Sequence, residues 1–356
     1  MVSKNILFDA ERLKYPNTGL YYFCLNLGDA IRNQLPSGLD MYFFCNEKAG
    51  KVYGDDQKYI RQFSWHKINN PHRSRFDLWH STFQLTDYLP NKDRSPLLLT
   101  IHDLNFLKEN KSLEKEKRYL KKLQERVNQA SQIVTISDYV KNDVLTYCDV
   151  KNTPIKTIYN GNNIDFSRIA EVSTAPLVDG EYIYSVGTIN RKKNFHVLLY
   201  LLPGNDLKLV ISGETHEEDY KNYILHLAKK LSVQKRLIFT GAVSEKNKYN
   251  YLKHCALFAF PSIAEGFGLP VVEAMAFGKK VLLSTCTSLP EIGGDNAYYL
   301  TQFDEDYLTN FAKTELNTIL RHPIDEHAVV ERAKSFNWQD AARDYTALYA
   351  RILNGA

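Results

Sequence analysis

Long apolar runs are missing from this sequence of 356 residues. No hydrophobic stretch approaches the roughly 20 residues that a membrane-spanning helix requires. A secretory signal pattern is missing as well, because Met1–Asn5 leads directly into the strand-like run Ile6–Phe8. Repeats and low-complexity segments are also absent. We therefore expect a globular, cytoplasmic protein.

Cysteine is scarce, and its pattern excludes a disulfide framework. The five cysteines are odd in number and scattered along the chain, at Cys24, Cys45, Cys148, Cys255 and Cys286. They are typical of buried thiols in a reducing compartment. They also lack the paired spacing of zinc ligands, and no cluster of His and Cys residues suggests zinc. We expect no metal requirement.

A strong overall charge is missing too. The 45 Lys and Arg residues against 41 Asp and Glu residues give a net charge of +4, which is too small to favour nucleic acid as a partner. The excess is local, because residues 108–126 contain eight basic and four acidic residues. This segment predicts a surface helix with a solvated charged face. The alternative is a contact between residues 108–126 and an anionic membrane surface, which would place the protein peripherally at the inner face of the membrane.

The most informative stretch that is present runs from Glu265 to Glu273, with seven residues between the two glutamates. Its glycines allow a tight turn close to a ligand, since they lack a Cβ. Pro270 suits the first turn of a helix, and Gly278 is a typical C-terminal cap. The pattern predicts a strand over 254–260 and a helix over 271–277, with Glu265 on the loop between them and Glu273 in the first helical turn.

The loop between the glutamates, Gly266-Phe267-Gly268-Leu269, can bind a phosphate. Free backbone N–H groups at a helix start attract anions, and the helix dipole adds to the attraction. Carboxylates instead accept hydrogen bonds from hydroxyls, so one glutamate can take sugar hydroxyls and the other a ribose diol. The alternative is that both glutamates have no ligand and only interact favourably with the dipole at the start of the helix. The Gly-Phe-Gly insert and the fixed spacing favour a sugar-nucleotide site.

A second candidate is the basic run Arg191-Lys192-Lys193, which follows the apolar run Tyr182–Val186. A nucleoside diphosphate gains negative charge as the sugar–phosphate bond breaks, and fixed cations stabilise that charge. The alternative is a solvated loop, which is the usual state of a charge run. The position directly after a buried strand favours the phosphate role.

Short apolar runs alternate with helical patterns along the chain, which predicts parallel sheets with helices on both faces. The length favours two domains, and ligands of such sheets bind beyond the carboxyl ends of the strands. The predicted strands cover residues 6–8, 41–44, 97–101, 133–136, 182–186, 207–211, 237–240, 256–260 and 280–283. The pattern breaks over residues 165–180, which we assign to a linker.

The stretch Phe260–Met275 resembles the signature of the retaining glycosyltransferases of family 4, which have the GT-B fold. Other segments resemble the same family in chain order: Thr100–Leu104, Ser137–Tyr139, Tyr159–Asp165, Val186–Asn194, Leu289–Glu291 and Phe336–Trp338. The resemblance covers nearly the whole chain. It implies two Rossmann-like domains facing across a crevice: an acceptor-side domain over 1–164, a nucleotide-sugar domain over 181–335, and a last helix over 336–356 that crosses back to the first domain.

The resemblance also implies roles for individual residues. Lys193 corresponds to the family's phosphate-binding lysine, and either Arg191 or Lys192 supplies the second cation. His102 corresponds to a histidine that approaches the transferring sugar and steadies positive charge there, while Asp103 orients the loop. Gly19 permits close approach of the backbone to donor phosphate or acceptor, although a turn-only role is nearly as well supported.

The activity so implied is metal-independent transfer of a hexose, of mannose or glucose type, from a nucleotide sugar. The acceptor is a glycan or a lipid-linked glycan of surface polysaccharide synthesis. The expected catalytic residues are His102, Lys193 and Glu265. Asp304 and Asp306 have the spacing of a metal–nucleotide site, but they precede a helical pattern, where acids act as caps. Two alternatives stay open: a sugar-nucleotide isomerase of the same fold and a non-catalytic assembly partner.

Overall fold

The structure is a computed structural model that describes residues 3–16, 18–109 and 112–355. The chain forms two compact units. Unit 1 comprises Met1–Asn163 together with Phe336–Ala356, and unit 2 comprises Ile164–Ser335. Each unit has its own parallel sheet and its own apolar core.

In the described part of unit 1 the sheet has seven strands: β1 (Lys4–Asp9), β2 (Leu39–Cys45), β3 (Lys58–Arg61), β4 (Leu78–Ser81), β5 (Leu97–Ile101), β6 (Gln132–Thr135) and β7 (Ile155–Thr157). Their order is β3-β2-β1-β4-β5-β6-β7, and neighbouring strands pair in parallel. All five residues of β5 are buried. Such a continuous apolar strand is typical of a parallel sheet that is covered on both faces.

The α-helices of unit 1 are α1 (Gly19–Arg32), α2 (Leu113–Val127), α3 (Asp138–Tyr147) and α11 (Trp338–Leu353). Helix α11 buries residues three and four positions apart, from Trp338 to Tyr349, which gives it one apolar stripe. Tyr349 Oη lies 2.6 Å from His80 Nδ1 in β4. Tyr345 stacks on the same imidazole at 5.0 Å. The last helix is therefore part of the core of unit 1.

Unit 2 contains six parallel strands in the order β10-β9-β8-β11-β12-β13. They are β8 (Tyr182–Val186), β9 (Lys208–Ser212), β10 (Leu237–Gly241), β11 (Leu257–Phe260), β12 (Val281–Ser284) and β13 (Tyr298–Leu300). Its α-helices are α4 (Glu218–Lys230), α5 (Glu245–His254), α6 (Leu269–Ala276), α7 (Leu289–Gly293), α8 (Glu305–Thr314), α9 (Leu316–Arg321) and α10 (Glu326–Lys334). Fully buried aliphatic residues of the strands, such as Ile183, Leu209 and Leu257, form the core.

The secondary structure differs from the expectations in several places. His254 ends helix α5 instead of opening a strand. The expected helix over 108–126 begins only at Leu113, because Ser112 has an extended backbone, and Asn110 and Lys111 lie outside the described residues.

The domain bounds remain a prediction. Unit 2 begins at Ile164, so it includes residues 165–180, which we assign to the linker.

The cysteines are all free, and four of them are buried. The fifth, Cys286, is half-buried, which differs from the expectation of buried thiols.

Candidate functional site

The candidate site of unit 2 lies where the strand order of the sheet reverses. From β8 the chain moves outward to β9 and β10, then returns to β11 on the other side of β8. Ligands of open parallel sheets bind beyond the carboxyl ends of the strands at such a reversal. Lys193 follows β8 and Glu265 follows β11, so both residues sit at this position.

Lys193 ends a short 3-10 turn, Arg191–Lys193, which Asn190 caps by accepting a hydrogen bond from the Lys193 N–H. The lysine side chain runs back toward Gly187 at the end of β8. A Cβ on Gly187 would lie 3.2 Å from Lys193 Cε, so a glycine there leaves space for the lysine. The ammonium lies 4.7 Å from the centre of the Phe260 ring.

Glu265 is held from three directions. Its Oε1 accepts hydrogen bonds from Lys193 Nζ at 2.5 Å and from Ser262 Oγ at 2.6 Å. Its backbone N–H donates to Thr287 Oγ1 at 3.0 Å. Ser288 Oγ donates to the carbonyl oxygens of Glu265 and Phe267. The loop after β12 therefore fixes the loop after β11. Thr287 and Ser288 are not among the predicted site residues, although the next segment, Leu289–Glu291, is one of those that resemble the family.

Burial and charge act against each other in this ion pair. Desolvation lowers the pKa of the Lys193 ammonium, and the charge of Glu265 only partly offsets this. For Glu265 burial acts to raise the pKa, but the charges of Lys193 and Lys192 and the hydrogen bonds from Lys193 and Ser262 outweigh it. The pKa of Glu265 is therefore below its ordinary value. The residue is an ionised hydrogen-bond acceptor and is unsuited to donate a proton.

The two other cations of the loop differ in their surroundings. The Arg191 guanidinium donates to Asp219 Oδ2 at 2.6 Å, and its backbone N–H donates to Glu217 on the same side. The Lys192 charge instead acts on both Lys193 and Glu265. Arg191 is thus directed to the acidic start of α4, while Lys192 contributes positive potential at the ion pair.

The loop Gly266–Leu269 leads into α6, whose first residue is Leu269. Gly268 has a φ of 110°, a backbone conformation that favours glycine. The expectation about Glu273 is wrong in one respect: α6 begins two residues earlier than predicted, so Glu273 lies beyond the first turn. The start of α6 also offers fewer free backbone N–H groups for a phosphate than expected. Pro270 has no N–H, and Val271 N donates to Gly268 O at 2.9 Å.

Glu273 is 5% exposed and forms an ion pair with Lys248 of helix α5. Lys248 Nζ lies 2.9 Å from Oε1 and 3.0 Å from Oε2, so it holds both carboxylate oxygens. No local sequence signal marks Lys248, because the contact depends on the packing of α5 near α6. The lysine therefore fixes the orientation of the Glu273 carboxylate.

In unit 1, His102 follows β5 and is 5% exposed. Its Nε2 lies 2.7 Å from the Thr82 carbonyl oxygen, so Nε2 carries the proton in this contact. Burial is the main cause that lowers the pKa of His102 to about 4. The imidazole is therefore neutral near pH 7, and Nδ1 has a lone pair that can face positive charge. Asp103 Oδ1 accepts from the Asn105 N–H at 3.0 Å, which orders the following turn.

The strand order of unit 1 also reverses, between β1 and β4. Asp9 ends β1 and is 1% exposed. Its carboxylate accepts hydrogen bonds from Glu11 N, Gln62 Nε2 and Thr86 Oγ1. Burial, aided by the charge of Glu11, raises the pKa of Asp9 to about 7. No local sequence pattern distinguishes Asp9 from other acids at strand ends, so it is not among the predicted site residues.

Gly19 is the first residue of α1, after the N-cap Thr18. A Cβ on Gly19 would meet nothing within 4 Å, which leaves both expected roles open. Asn17 of the same loop lies outside the described residues. Asp304 is the N-cap of α8 and accepts from the Tyr307 N–H at 2.9 Å.

Among the described residues, no group of His, Cys, Asp and Glu side chains could hold a metal ion. The independence from metal stays a prediction. In the same part of the chain, no helix combines the length and apolar character that crossing a bilayer requires.

Two family models match the chain. The model for glycosyl transferases group 1 matches residues 170–335, which include Lys193, Glu265 and Glu273. The model for glycosyltransferase family 4 matches residues 45–166, which include His102. Together they cover most of both units.

Curated relatives include two kinds of mannosyltransferase from Escherichia coli. The serotype-specific mannosyltransferase WbdA is 30% identical over 67% of this chain, and the match covers 31% of WbdA. The chain thus spans about a third of that relative. The O-antigen chain mannosyltransferase B is 24% identical over 94% of this chain and 96% of its own length.

Solved structures with the same fold cover nearly the whole chain. HepE from Anabaena in complex with UDP-glucose has a TM-score of 0.75 at 18% identity, over 98% of this chain and 99% of HepE. Sucrose-phosphate synthase from Thermosynechococcus elongatus has a TM-score of 0.75 at 17% identity, over 99% of this chain and 100% of that one. The family matches and the two parallel-sheet units lead to one conclusion: the chain belongs to the group 1 glycosyltransferases and has the GT-B fold.

Proposed function

We propose that the chain transfers a hexose, of mannose or glucose type, from a nucleoside diphosphate sugar to a glycan or lipid-linked acceptor, with retention at the anomeric carbon. The observation that carries the proposal is the ion pair of Lys193 and Glu265 at the sheet reversal of unit 2. A fixed cation there stabilises the charge that develops on the diphosphate leaving group. The adjacent carboxylate accepts hydrogen bonds from sugar hydroxyls.

The remaining residues of the site have supporting roles. Lys192 adds the second positive charge at the diphosphate, a role for which Arg191 is less suited because Asp219 engages it. The loop Gly266–Leu269 approaches the phosphates, and Glu273, held by Lys248, takes the ribose diol. In unit 1 the neutral His102 steadies positive charge on the transferring sugar, and Gly19 gives the backbone space to approach a ligand.

The relatives support the choice of donor class and setting. WbdA and mannosyltransferase B are mannosyltransferases by name, and the HepE structure contains UDP-glucose. We infer from them a hexose nucleotide as donor and surface polysaccharide synthesis as the setting, with the chain acting as a cytoplasmic enzyme at the inner face of the membrane. No metal takes part, since Lys193 and Lys192 supply the positive charge that a metal would otherwise provide.

Contact with the membrane is assigned to the exposed cations of α2. Lys115, Lys117, Arg118 and Lys121 are exposed on this helix. Lys122 and Arg126 instead pair with Asp87. The first group is therefore the one that an anionic bilayer can attract.

A panel of nucleoside diphosphate sugars tests the proposal by thermal shift, because a bound ligand raises the apparent stability of the folded state. We expect a hexose nucleotide to raise the midpoint more than its free nucleoside. The donor that binds is then incubated alone and with acceptor glycans. Conversion of the donor without an acceptor would instead indicate an isomerase, and binding without any turnover would indicate an assembly partner.

A further inference from the structure

The segment of unit 1 that begins with β3 has an unusual charge pattern. Residues 58–76 contain five Lys or Arg residues and no Asp or Glu. Since the whole chain has a net charge of +4, the remaining residues carry a small net negative charge. The concentration of positive charge here exceeds that of residues 108–126.

The same segment exposes large apolar side chains. Phe63 is 38% exposed, Trp65 51% and Ile68 85%. The other tryptophans of the chain, Trp79 and Trp338, are 0% and 7% exposed. Trp65 is therefore the one tryptophan of the three that solvent reaches freely.

The exposed side chains project from an anchored turn. Residues Ser64–Lys67 form a 3-10 turn, and the N–H groups of Ile68 and Asn69 both donate to Trp65 O at 3.0 Å. His66, in the middle of the turn, is 2% exposed and stacks on Phe44 of β2. The backbone is thus fixed from inside, so the exposure of Trp65 and Ile68 is a property of the ordered fold.

Cations lie beside these apolar groups. Arg61 Cζ is 4.8 Å from the centre of the Phe63 ring, but the guanidinium is paired with Glu47, so it mainly supports the ring. The Phe63 ring in turn stacks on Trp65 at 6.2 Å with an interplanar angle of 18°. Lys67 and Arg75 are exposed within the same segment. Such an arrangement suits the surface of an anionic bilayer. The negatively charged headgroups attract the cations, and the membrane–water interface accepts the indole and the aliphatic side chain.

We propose that residues 61–75 form a membrane-contact surface, whose Trp65 and Ile68 insert into the headgroup region of an anionic bilayer. A sugar ligand could stack on the indole, but it would not account for Ile68, which is 85% exposed. Insertion into a bilayer removes both side chains from water, which is favourable for both. This surface deepens the membrane contact assigned to α2 in the proposed function.

The two surfaces are neighbours within unit 1. Lys67 Nζ lies 5.7 Å from the centre of the Tyr88 ring, and the preceding residue, Asp87, accepts from Lys122 of α2 at 2.6 Å. The segment 86–88 therefore contacts both surfaces. α2 contributes charge, and residues 61–75 contribute charge together with apolar insertion.

Intrinsic tryptophan fluorescence of the full chain tests the insertion. Vesicles of phosphatidylcholine with phosphatidylglycerol should shift the emission to shorter wavelength, and brominated acyl chains should quench it. Trp65→Phe should still sediment with the vesicles but lose the quenching, because Trp79 and Trp338 are buried. Equal quenching in Trp65→Phe and the wild type would overturn the proposal.

Co-sedimentation tests the contribution to binding. The double variant Trp65→Ala with Ile68→Ser should lower the partition coefficient on the order of tenfold, with a loss that persists at high salt. The matched control is Leu145→Ala with Tyr147→Ala, which removes two other exposed apolar side chains (47% and 45%) from α3 of the same unit and should bind like the wild type.

Two further outcomes separate this surface from α2 and from a protein partner. If charge reversal on α2 abolishes binding while the Trp65/Ile68 variant binds like the wild type, residues 61–75 are not a membrane surface, and the contact through α2 stands. If the variant changes only the oligomeric state in size-exclusion chromatography, the surface binds a second copy of the chain and the proposal is overturned.

Discussion

The ammonium nitrogen of Lys193 lies 2.5 Å from Oε1 of Glu265, across the reversal of the strand order in unit 2. The side chains of both residues are largely removed from solvent, at 13% and 14% exposure. Removal of one partner leaves the other as an unpaired, poorly hydrated charge, which costs about 3–5 kcal/mol for a buried pair. Mutational tests of the chemistry at this site must therefore be read beside a measurement of folding.

The first prediction concerns Lys193→Ala. Loss of a preorganised cation at the diphosphate should lower kcat by about 10²–10³. The free energy of unfolding should fall as well, because Glu265 loses its main partner. Steady-state kinetics and urea denaturation on the same preparation measure both effects. Wild-type turnover in a folded variant would remove Lys193 from the catalytic machinery.

The neighbouring cations of the loop serve as matched controls for this prediction. Lys192→Ala should raise the KM for the donor, because the charge of Lys192 acts at the ion pair. Arg191→Ala should change kinetics by no more than a few fold, because its guanidinium is engaged by Asp219. The opposite pattern would show that Arg191 is the second phosphate cation.

The second prediction concerns Glu273 and Lys248. Glu273→Ala should raise the KM for the donor on the order of tenfold, since a hydrogen bond to a charged group is worth roughly 1.5–3 kcal/mol. Lys248→Met should raise the same KM with little change in kcat, because the carboxylate loses the partner that orients it.

Lys248→Arg serves as the rescue for the second prediction, since it restores a cation opposite Glu273 and should recover part of the donor affinity. A role for Lys248 in stability alone would lower the unfolding midpoint of Lys248→Met and leave the KM unchanged. Donor affinity that is unaltered in folded Glu273→Ala would exclude the ribose contact.

The third prediction is a pH dependence of stability due to Asp9. The folded carboxyl binds its proton at about pH 7, and the unfolded carboxyl at its ordinary 3.8. Between these values the folded state holds the additional proton, so the free energy of unfolding should decrease as pH rises through this window and level off above about pH 7. The shift corresponds to at most about 4 kcal/mol.

Asp9→Asn isolates this contribution, because the amide keeps an oxygen acceptor and cannot ionise. Relative to the variant, the wild type should gain stability as pH falls from about 8 to about 5. Urea denaturation across this range gives the difference between the two proteins. Parallel stability curves would mean that Asp9 is ionised throughout the window.

The fourth prediction is that a chelator leaves the activity of the wild type intact. In the proposed function Lys193 and Lys192 supply the positive charge at the diphosphate, and Asp304 acts as the cap of α8. Assays with excess chelator, with and without added magnesium or manganese, measure the effect. Strong inhibition that added metal reverses would make Asp304 and Asp306 candidates for a metal site again.

The fifth prediction concerns the exposed cations of α2. Lys117→Glu with Lys121→Glu should release the protein from anionic vesicles at low salt by at least about tenfold, since each cation near such a surface contributes about 1 kcal/mol. Activity on a short soluble acceptor should persist.

The control for the fifth prediction is Lys229→Glu with Lys235→Glu, which changes the net charge equally in unit 2 and should bind as the wild type does. Failure of the wild type to sediment would leave α2 as a solvated face.

The parts of the fold that local pattern determines could be predicted. Strands β5 and β8 begin and end where the apolar runs indicate, because continuous hydrophobic segments are buried on both faces of a parallel sheet. Strand β4 was missed. It contains the buried His80, whose Nδ1 contacts Tyr349 and whose Nε2 contacts Thr100. A local sequence pattern cannot indicate the contact with Tyr349, because 269 residues separate the two side chains.

In the candidate site, too, local sequence patterns predict individual residues but not the contacts between distant residues. The sequence selected Lys193 and Glu265 separately, because each lies beside a recognisable turn. It could not show that they pair across 72 residues, nor that Lys248 holds Glu273. Three consecutive cations are also equivalent in sequence. The 3-10 turn distinguishes them, since it directs Arg191 to Asp219 and Lys193 to Glu265.

The packing of Tyr345 and Tyr349 against His80 has a consequence for synthesis of the chain. Unit 2 is continuous in sequence, but unit 1 requires Phe336–Ala356 to complete its core. The ribosome therefore releases the last structural element of the first unit only after the whole second unit has emerged. Until α11 emerges, His80 and Thr100 lack their partners Tyr349 and Tyr345. The first half of the nascent chain therefore stays incompletely packed, and exposed to chaperones and proteases, while unit 2 is synthesised.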